Sequence, residues 1–252
     1  SCLHGLEAPV VVEVVGLDVG DKGDLGMIGE EGTVILVRFD DGMGTLAESG
    51  LPVVRRITGG RAVIHDDEVT YSLTAPLSHP LFTGGITGTY KVISGCIVAA
   101  LKDIGVIASL SRSTGRGRGT RHREACFHTP SRSEVLVDGR KLVGSSQRRF
   151  KRAFLQHGSI LFGIDQPAHE RAFGPGVVER MASVSSFSRA GKEEFKAALI
   201  SSFSEGLGVR FVEGGLATGE REAVEGLLAC RYSTPEWNIG RGRNTARGAL
   251  AR

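Results

Sequence analysis

Residues 51–72, LPVVRRITGGRAVIHDDEVTYS, set Arg55 and Arg56 before Thr58, Gly59 and Gly60, with Arg61 and His65 just after. Adjacent glycines admit positive φ and let a ligand approach bare main chain. Arginine adds a fixed fork of donors for an anion, a carbonyl or a pantetheine phosphate. A β-turn flanked by solvated arginines explains the same residues, so this stretch alone does not settle its own role. Four cysteines, Cys2, Cys96, Cys126 and Cys230, are candidate nucleophiles. None forms a C-x-x-C pair or a metal-ligand spacing, which argues against a metal site and for reduced thiols in a cytosolic chain. Cys96 falls inside an apolar helical run and reads as core.

Strands and turns must hold these groups. PVVVEVV (9–15) and GTVILVRF (32–39) predict buried strands, and LPVVRR predicts a third that leads into the glycine pair. Tyr90, Ile93, Ile97, Leu101 and Ile104 recur at helical spacing and predict a helix over 89–104 ending at Gly105. EVLVDGRKLVGSSQ (134–147) alternates around Asp138-Gly139, a strong hairpin signal that places Lys141 on a strand with its stem reaching solvent. SILFGI (159–164) predicts a further strand. Helices follow over 190–206 and 218–231, the second capped by Thr218. Residues 111–123, SRSTGRGRGTRHR, lack apolar periodicity and read as a basic loop; 241–252 reads as a disordered basic tail. Strands and helices interleave without a regular βαβ rhythm, so the expected class is α+β around a mixed sheet.

Composition sets the outer limits. The 252 residues suit one large domain or two small ones, with 40% apolar and 23% charged residues. A net charge of +3 gives no reason to invoke nucleic acid, although 112–123 and 148–152 are Arg-rich and suit an acidic partner. No apolar run approaches the ~20 residues of a membrane span and no signal peptide is visible, so no membrane role and a cytoplasmic location are expected.

Three segments in order carry a resemblance: RRITGGRAVIHDDEVTYS, then ACFHTPSRSEVLVDGRKLVGSSQ (125–147), then LQHGSILFG (155–163). With YSTPEWN (232–238), they resemble the biotin/lipoate protein ligase family, and within it the LipM-type octanoyltransferases. The resemblance spans 51–240 and implies one catalytic domain there, a class II synthetase-like mixed β-sheet flanked by helices. Residues 1–50 match poorly and stand as N-terminal strands of the same domain, diverged or truncated. The family's usual opening helix, with an Asn-Met-Ala-x-Asp-Glu pattern, is not found in them.

The family runs two chemistries. Ligases use ATP and Mg to make lipoyl-adenylate before acylating a carrier lysine. Octanoyltransferases take octanoate from acyl carrier protein, hold it as a cysteine thioester and pass it to the same lysine, with no cofactor. Arg61 stands where ligases carry a third glycine, and Cys126 matches the transferase nucleophile. The resemblance therefore implies Cys126 and Lys141 as the catalytic pair. It implies substrate contacts from Arg55, Arg56, Thr58, Gly59, Gly60, Arg61, His65, Gly144, Ser145, Gln147, His157, Gly158 and Ser159.

A nearby Lys141 ammonium would favour the Cys126 thiolate, and Lys141 could then take the proton of the incoming amine. The implied partners are octanoyl-acyl carrier protein as donor and a lipoyl domain, such as the glycine cleavage H protein, as acceptor. GRGRGTR (115–121) suits docking of an acidic carrier, or is a solvated loop. An ATP-dependent lipoate ligase chain and an inactive acyl- or carrier-binding module remain the alternatives.

Overall fold

A computed structural model describes residues 53–58, 62–111, 134–212, 214–216 and 218–238, together with the backbone of 11–17 and 34–36. Strands β1 (Val11–Leu17), β5 (Glu68–Pro76), β10 (Ala153–Leu161) and β9 (Val143–Arg149) form an antiparallel sheet in the order β1-β5-β10-β9. A second sheet pairs β2 (Val34–Leu36) in parallel with β3 (Val53–Val54) and antiparallel with β4 (Val63–His65). A third joins β6 (Ser109–Leu110), β7 (Val135–Val137) and β8 (Arg140–Lys141). The α+β class holds, with the strands divided among three sheets. The expected basic loop and tail, and the domain boundary at 50, lie outside the described residues.

The helices form where the apolar period says they should. α1 (Gly85–Asp103) buries Thr89, Ile93, Cys96, Ile97, Ala100 and Leu101, one stripe at three- and four-residue spacing. It stops because Gly105 takes φ 81°, and Val106 N–H then bonds Leu101 O while Gly105 N–H bonds Lys102 O. α2 (Gln166–Phe173) was not expected, although Asp165 caps it by accepting from Ala168 N–H at 2.9 Å and Pro167 stands in its first turn. α3 (Lys192–Leu207) buries Phe195, Leu199, Phe203 and Leu207 and ends at Gly208, φ 64°. α4 (Thr218–Leu227) begins at Thr218 itself, and a π-helical turn (228–232) links it toward α5 (Pro235–Asn238). Among the described residues, no helix is long and apolar enough to cross a membrane.

The core lies between the four-stranded sheet and the pair α1 and α3. Val69, Tyr71, Leu73 and Ala75 on β5 and Phe154 and Ile160 on β10 meet Ile93, Ile97, Phe195, Leu199 and Phe203. Cys96 belongs to this core, and a Cβ on Gly206 would stand 2.5 Å from its Sγ, so the two helices approach closely there.

Gly158 on β10 is a second close approach. Paired with Tyr71 on one side and Ser145 on the other, it leaves the space its side chain would fill to the Tyr71 ring. A Cβ there would meet Tyr71 Cε1 at 2.6 Å and the Gly144 carbonyl oxygen at 2.8 Å. The ring cannot swing aside freely, because its hydroxyl lies 2.8 Å from Ser145 Oγ and accepts from Gln156 Nε2 at 3.1 Å. Gly158→Ala is therefore expected to cost about 2 kcal/mol or more and to lower Tm by roughly 4–8 °C, read by thermal and urea unfolding. An unchanged midpoint would show that the sheet relaxes around the methyl.

Candidate functional site

Strand alternation sorts the expected site residues onto two faces of the main sheet. His157 and Ser159 on β10, Glu68 on β5 and Gly144 on β9 share the face turned away from α1 and α3. Gly158, Ser145 and Gln147 share the opposite, helix-covered face. There Gln147 Nε2 donates to Gln156 Oε1 at 2.9 Å, which extends the hydrogen-bonded chain through Tyr71 to Ser145. Tyr90 on α1 donates to the Ser145 carbonyl at 3.4 Å. A buried polar chain of this kind fixes register, since each member satisfies its neighbour.

The other face collects the histidines. Thr58, on the stretch that leads into the glycine pair, puts Oγ1 2.6 Å from His157 Nε2. Burial, then the charge of Arg56 and the proximity of His65, push the His157 pKa down to about 3, so its imidazole is neutral at physiological pH. His65, at the end of β4, meets Glu68 through Nδ1, and the second oxygen of Glu68 takes the Ser159 hydroxyl. Thr58 with His157, and His65 with Ser159 through Glu68, thus form two hydrogen-bonded groups at this face, and Glu68 was unforeseen in the sequence. Gly59, Gly60, Arg61 and Cys126 lie outside the described residues.

Arg55 is enclosed by the far end of the described chain. Its backbone N–H donates to Asn238 Oδ1 at 3.0 Å and its Nη2 to the Asn238 carbonyl at 3.3 Å, while its own carbonyl accepts from Trp237 Nε1 at 2.9 Å. Only 3% of the residue is exposed, and that burial lowers the guanidinium pKa. Arg231 stacks on Trp237 with its guanidinium carbon 4.8 Å from the ring centroid. From another side, Arg148 Nη1 donates to the Ile57 carbonyl at 2.8 Å. The entry to the glycine pair is braced twice, by β9 and by the PEWN segment.

Lys141 departs from expectation. It sits on β8 after the Asp138-Gly139 turn, whose φ values of 50° and 72° fit a type I′ hairpin. Its side chain does not reach solvent: only 1% is exposed, and Nζ donates to Glu134 Oε1 at 2.6 Å. Leu136 stands opposite Lys141, so Glu134 is its diagonal neighbour on the same face. The hairpin register alone places this partner, and it is the signal the sequence reading passed over. Among the described residues, no group of His, Cys, Asp and Glu could hold a metal ion.

Residues 36–204 match the family model of the lipoyl protein ligase A/B catalytic domain. The octanoyltransferase LipM of Kyrpidia tusciae is 40% identical over 209 residues, 77% of this chain and 76% of that protein. Its counterpart in Bacillus subtilis is 33% identical over 208 residues, 76% of this chain and 75% of its own. A lipoate-protein ligase A bound with ATP superposes with a TM-score of 0.72 at 22% identity, covering 92% of this chain and 87% of that one. A bipartite lipoate protein ligase from Thermoplasma acidophilum gives 0.70 at 22% identity, over 93% and 85%.

Proposed function

This chain belongs to the lipoyl protein ligase A/B catalytic-domain family, and from that membership we propose that it is an octanoyltransferase of lipoate biosynthesis. One observation carries the choice between the family's two chemistries. Relatives at 32–40% identity over about three quarters of the chain are named octanoyltransferases, whereas the ligase structures share the fold at 22% identity.

The proposed reaction has two steps. The Cys126 thiolate attacks the thioester carbonyl of octanoyl-acyl carrier protein; the new C–S bond replaces the old, and the pantetheine thiol leaves. The amine of a lipoyl-domain lysine, on a protein such as the glycine cleavage H protein, then attacks the acyl-enzyme. An amide forms and the Cys126 sulfur departs. Thioester exchange is near isoenergetic and amide formation from a thioester is downhill, so the reaction as written consumes no ATP and needs no Mg. Lys141 supplies positive charge toward the thiolate. We assign the donor's acyl-pantetheine to the glycine pair with Arg56 and Arg61, and the reacting carbonyl to His65, His157 and Ser159, while Arg55, buried against Trp237 and Asn238, braces the entry to the pair and does not contact substrate. The expected setting is the cytoplasm.

Intact-mass measurement after mixing with octanoyl-acyl carrier protein, without ATP, tests this. The expected result is one octanoyl adduct, released by hydroxylamine and lost on adding an unmodified lipoyl domain. Absence of the adduct, together with ATP-dependent formation of lipoyl-adenylate, would overturn it in favour of a ligase.

A further inference from the structure

Residues 148–152, RRFKR, crowd cations into the turn between β9 and β10. The turn is held in shape from two sides. Phe150 N–H donates to the Ala153 carbonyl at 2.8 Å, and Leu77 N–H, just past β5, donates to the Arg152 carbonyl at 2.8 Å. Arg149 Nη2 donates to the Phe82 carbonyl at 3.3 Å, which ties the turn to the chain entering α1. Arg148, Lys151 and Arg152 are exposed, and so are Phe150, Leu81 and Ile86. The Arg148 guanidinium carbon stands 5.3 Å from the centroid of the Phe150 ring.

This charge is not neutralised locally. Residues 69–102 and 139–164, which supply the strands and the helix that meet at the turn, contain no Asp or Glu. Among the described residues, Arg148, Arg149, Lys151 and Arg152 form no ion pair. A surface that only solvates the fold mixes both signs, whereas a single-sign patch around exposed apolar side chains suits a partner of opposite charge.

Strand register tells where such a partner would deliver. Arg148 lies opposite Leu155 and Ser146 opposite His157, so Arg148 stands on the histidine-bearing face, one side-chain step nearer the turn. Its Nη1 donates to the Ile57 carbonyl, next to Thr58, which meets His157. Arg152 and His157 are separated by about 17 Å of extended chain, at ~3.3 Å per residue. The arm of an acyl carrier, a phosphate, a pantoyl unit, a β-alanine and a cysteamine in series, spans that distance. The side chain of an acceptor lysine does not, so an acceptor must dock closer in.

Building on the octanoyltransferase reading, we propose that the β9–β10 turn is the docking surface for the acidic acyl carrier that donates the octanoyl group. Lys151 and Arg152 meet its carboxylates, Phe150 packs between them, and Arg148 leads the arm toward Thr58 and His157.

The test is Lys151→Glu/Arg152→Glu, which alters exposed side chains only. Thioester formation is measured with octanoyl-acyl carrier protein and with octanoyl-pantetheine, which brings no protein to dock, and discharge to the lipoyl domain is followed separately. Loading from the carrier should lose at least about 10-fold in kcat/KM, through KM, at low ionic strength. The loss should shrink to within about threefold near ~1 M salt, where the screening length is about 3 Å. Loading from octanoyl-pantetheine and discharge should stay within about twofold of the unaltered protein, and Lys151→Gln/Arg152→Gln should load from the carrier at an intermediate rate. Equal loss with both donors, or unchanged loading from the carrier, overturns the proposal. So does slowed discharge, which gives the surface to the lipoyl domain. If the unaltered protein forms no thioester with either donor, the octanoyltransferase reading fails instead. Binding of holo-acyl carrier protein still judges the surface, which falls if the double variant binds as tightly as the unaltered chain or if neither binds.

Discussion

Cys126→Ser is expected to abolish the octanoyl adduct and to lower octanoyl transfer by at least about 1000-fold, the scale seen when a covalent nucleophile is removed. Neither of the two thiols among the described residues is expected to stand in for it. Cys96 is 6% exposed in the contact between α1 and α3, and burial pushes its pKa up to about 11, so almost no thiolate exists near neutrality. Cys230 is exposed on the π-helical turn. Cys230→Ser should therefore load and transfer like the unaltered protein, which makes it the control for loss of any surface thiol. The comparison also separates the two chemistries of the family, because adenylation uses no thiol. If Cys126→Ser keeps transferring in the presence of ATP, the chain is a ligase. If the adduct maps to Cys230, a thioester mechanism survives with a different nucleophile and the motif assignment falls.

Much of the fold was legible because local chemistry and tertiary structure agree. The Asp138-Gly139 turn, the three- and four-residue spacing of Ile93, Ile97 and Leu101, and the glycines after α1 and α3 each act through backbone geometry within a few residues. β5 was not among the expected strands, although Val69, Tyr71, Leu73 and Ala75 alternate along it with the period of a half-buried strand. The polar architecture of the site is different. A carboxylate is exposed by default, so nothing local marks Glu68 as fully buried. That follows from Ser159 arriving 91 residues later on a neighbouring strand. The clasp of Trp237 and Asn238 on Arg55 spans more than 180 residues and has no local signature. The division of Ser145 and Gln147 from His157 and Ser159 depends on strand register, which a motif quoted as a run of letters does not carry.

Lys141→Met is expected to unfold more easily as well as to react more slowly, and the two effects can be separated. The lysine is 1% exposed and Glu134 9%, so truncating the ammonium removes the opposite charge from a carboxylate that water reaches poorly. Breaking a buried pair from one side costs about 3–5 kcal/mol, or roughly 6–20 °C in Tm for a chain of this size. Removing both charges avoids that penalty, so Lys141→Met/Glu134→Leu should recover most of the lost stability. Transfer should not return with it if the ammonium serves Cys126. In the double variant the alkylation of Cys126 by iodoacetamide should move to higher pH, because the charge that favours the thiolate is gone. Lys141→Arg keeps a charge but asks a planar five-donor fork to fit where a single Nζ meets Glu134, so it should rescue poorly. If the double variant regains stability, transfer and an unshifted alkylation profile together, the pair holds the β7–β8 hairpin and nothing more. If stability returns while transfer and the low-pH alkylation stay lost, Lys141 is the partner of the thiol, and Glu134 is what allows a lysine to be buried there at all.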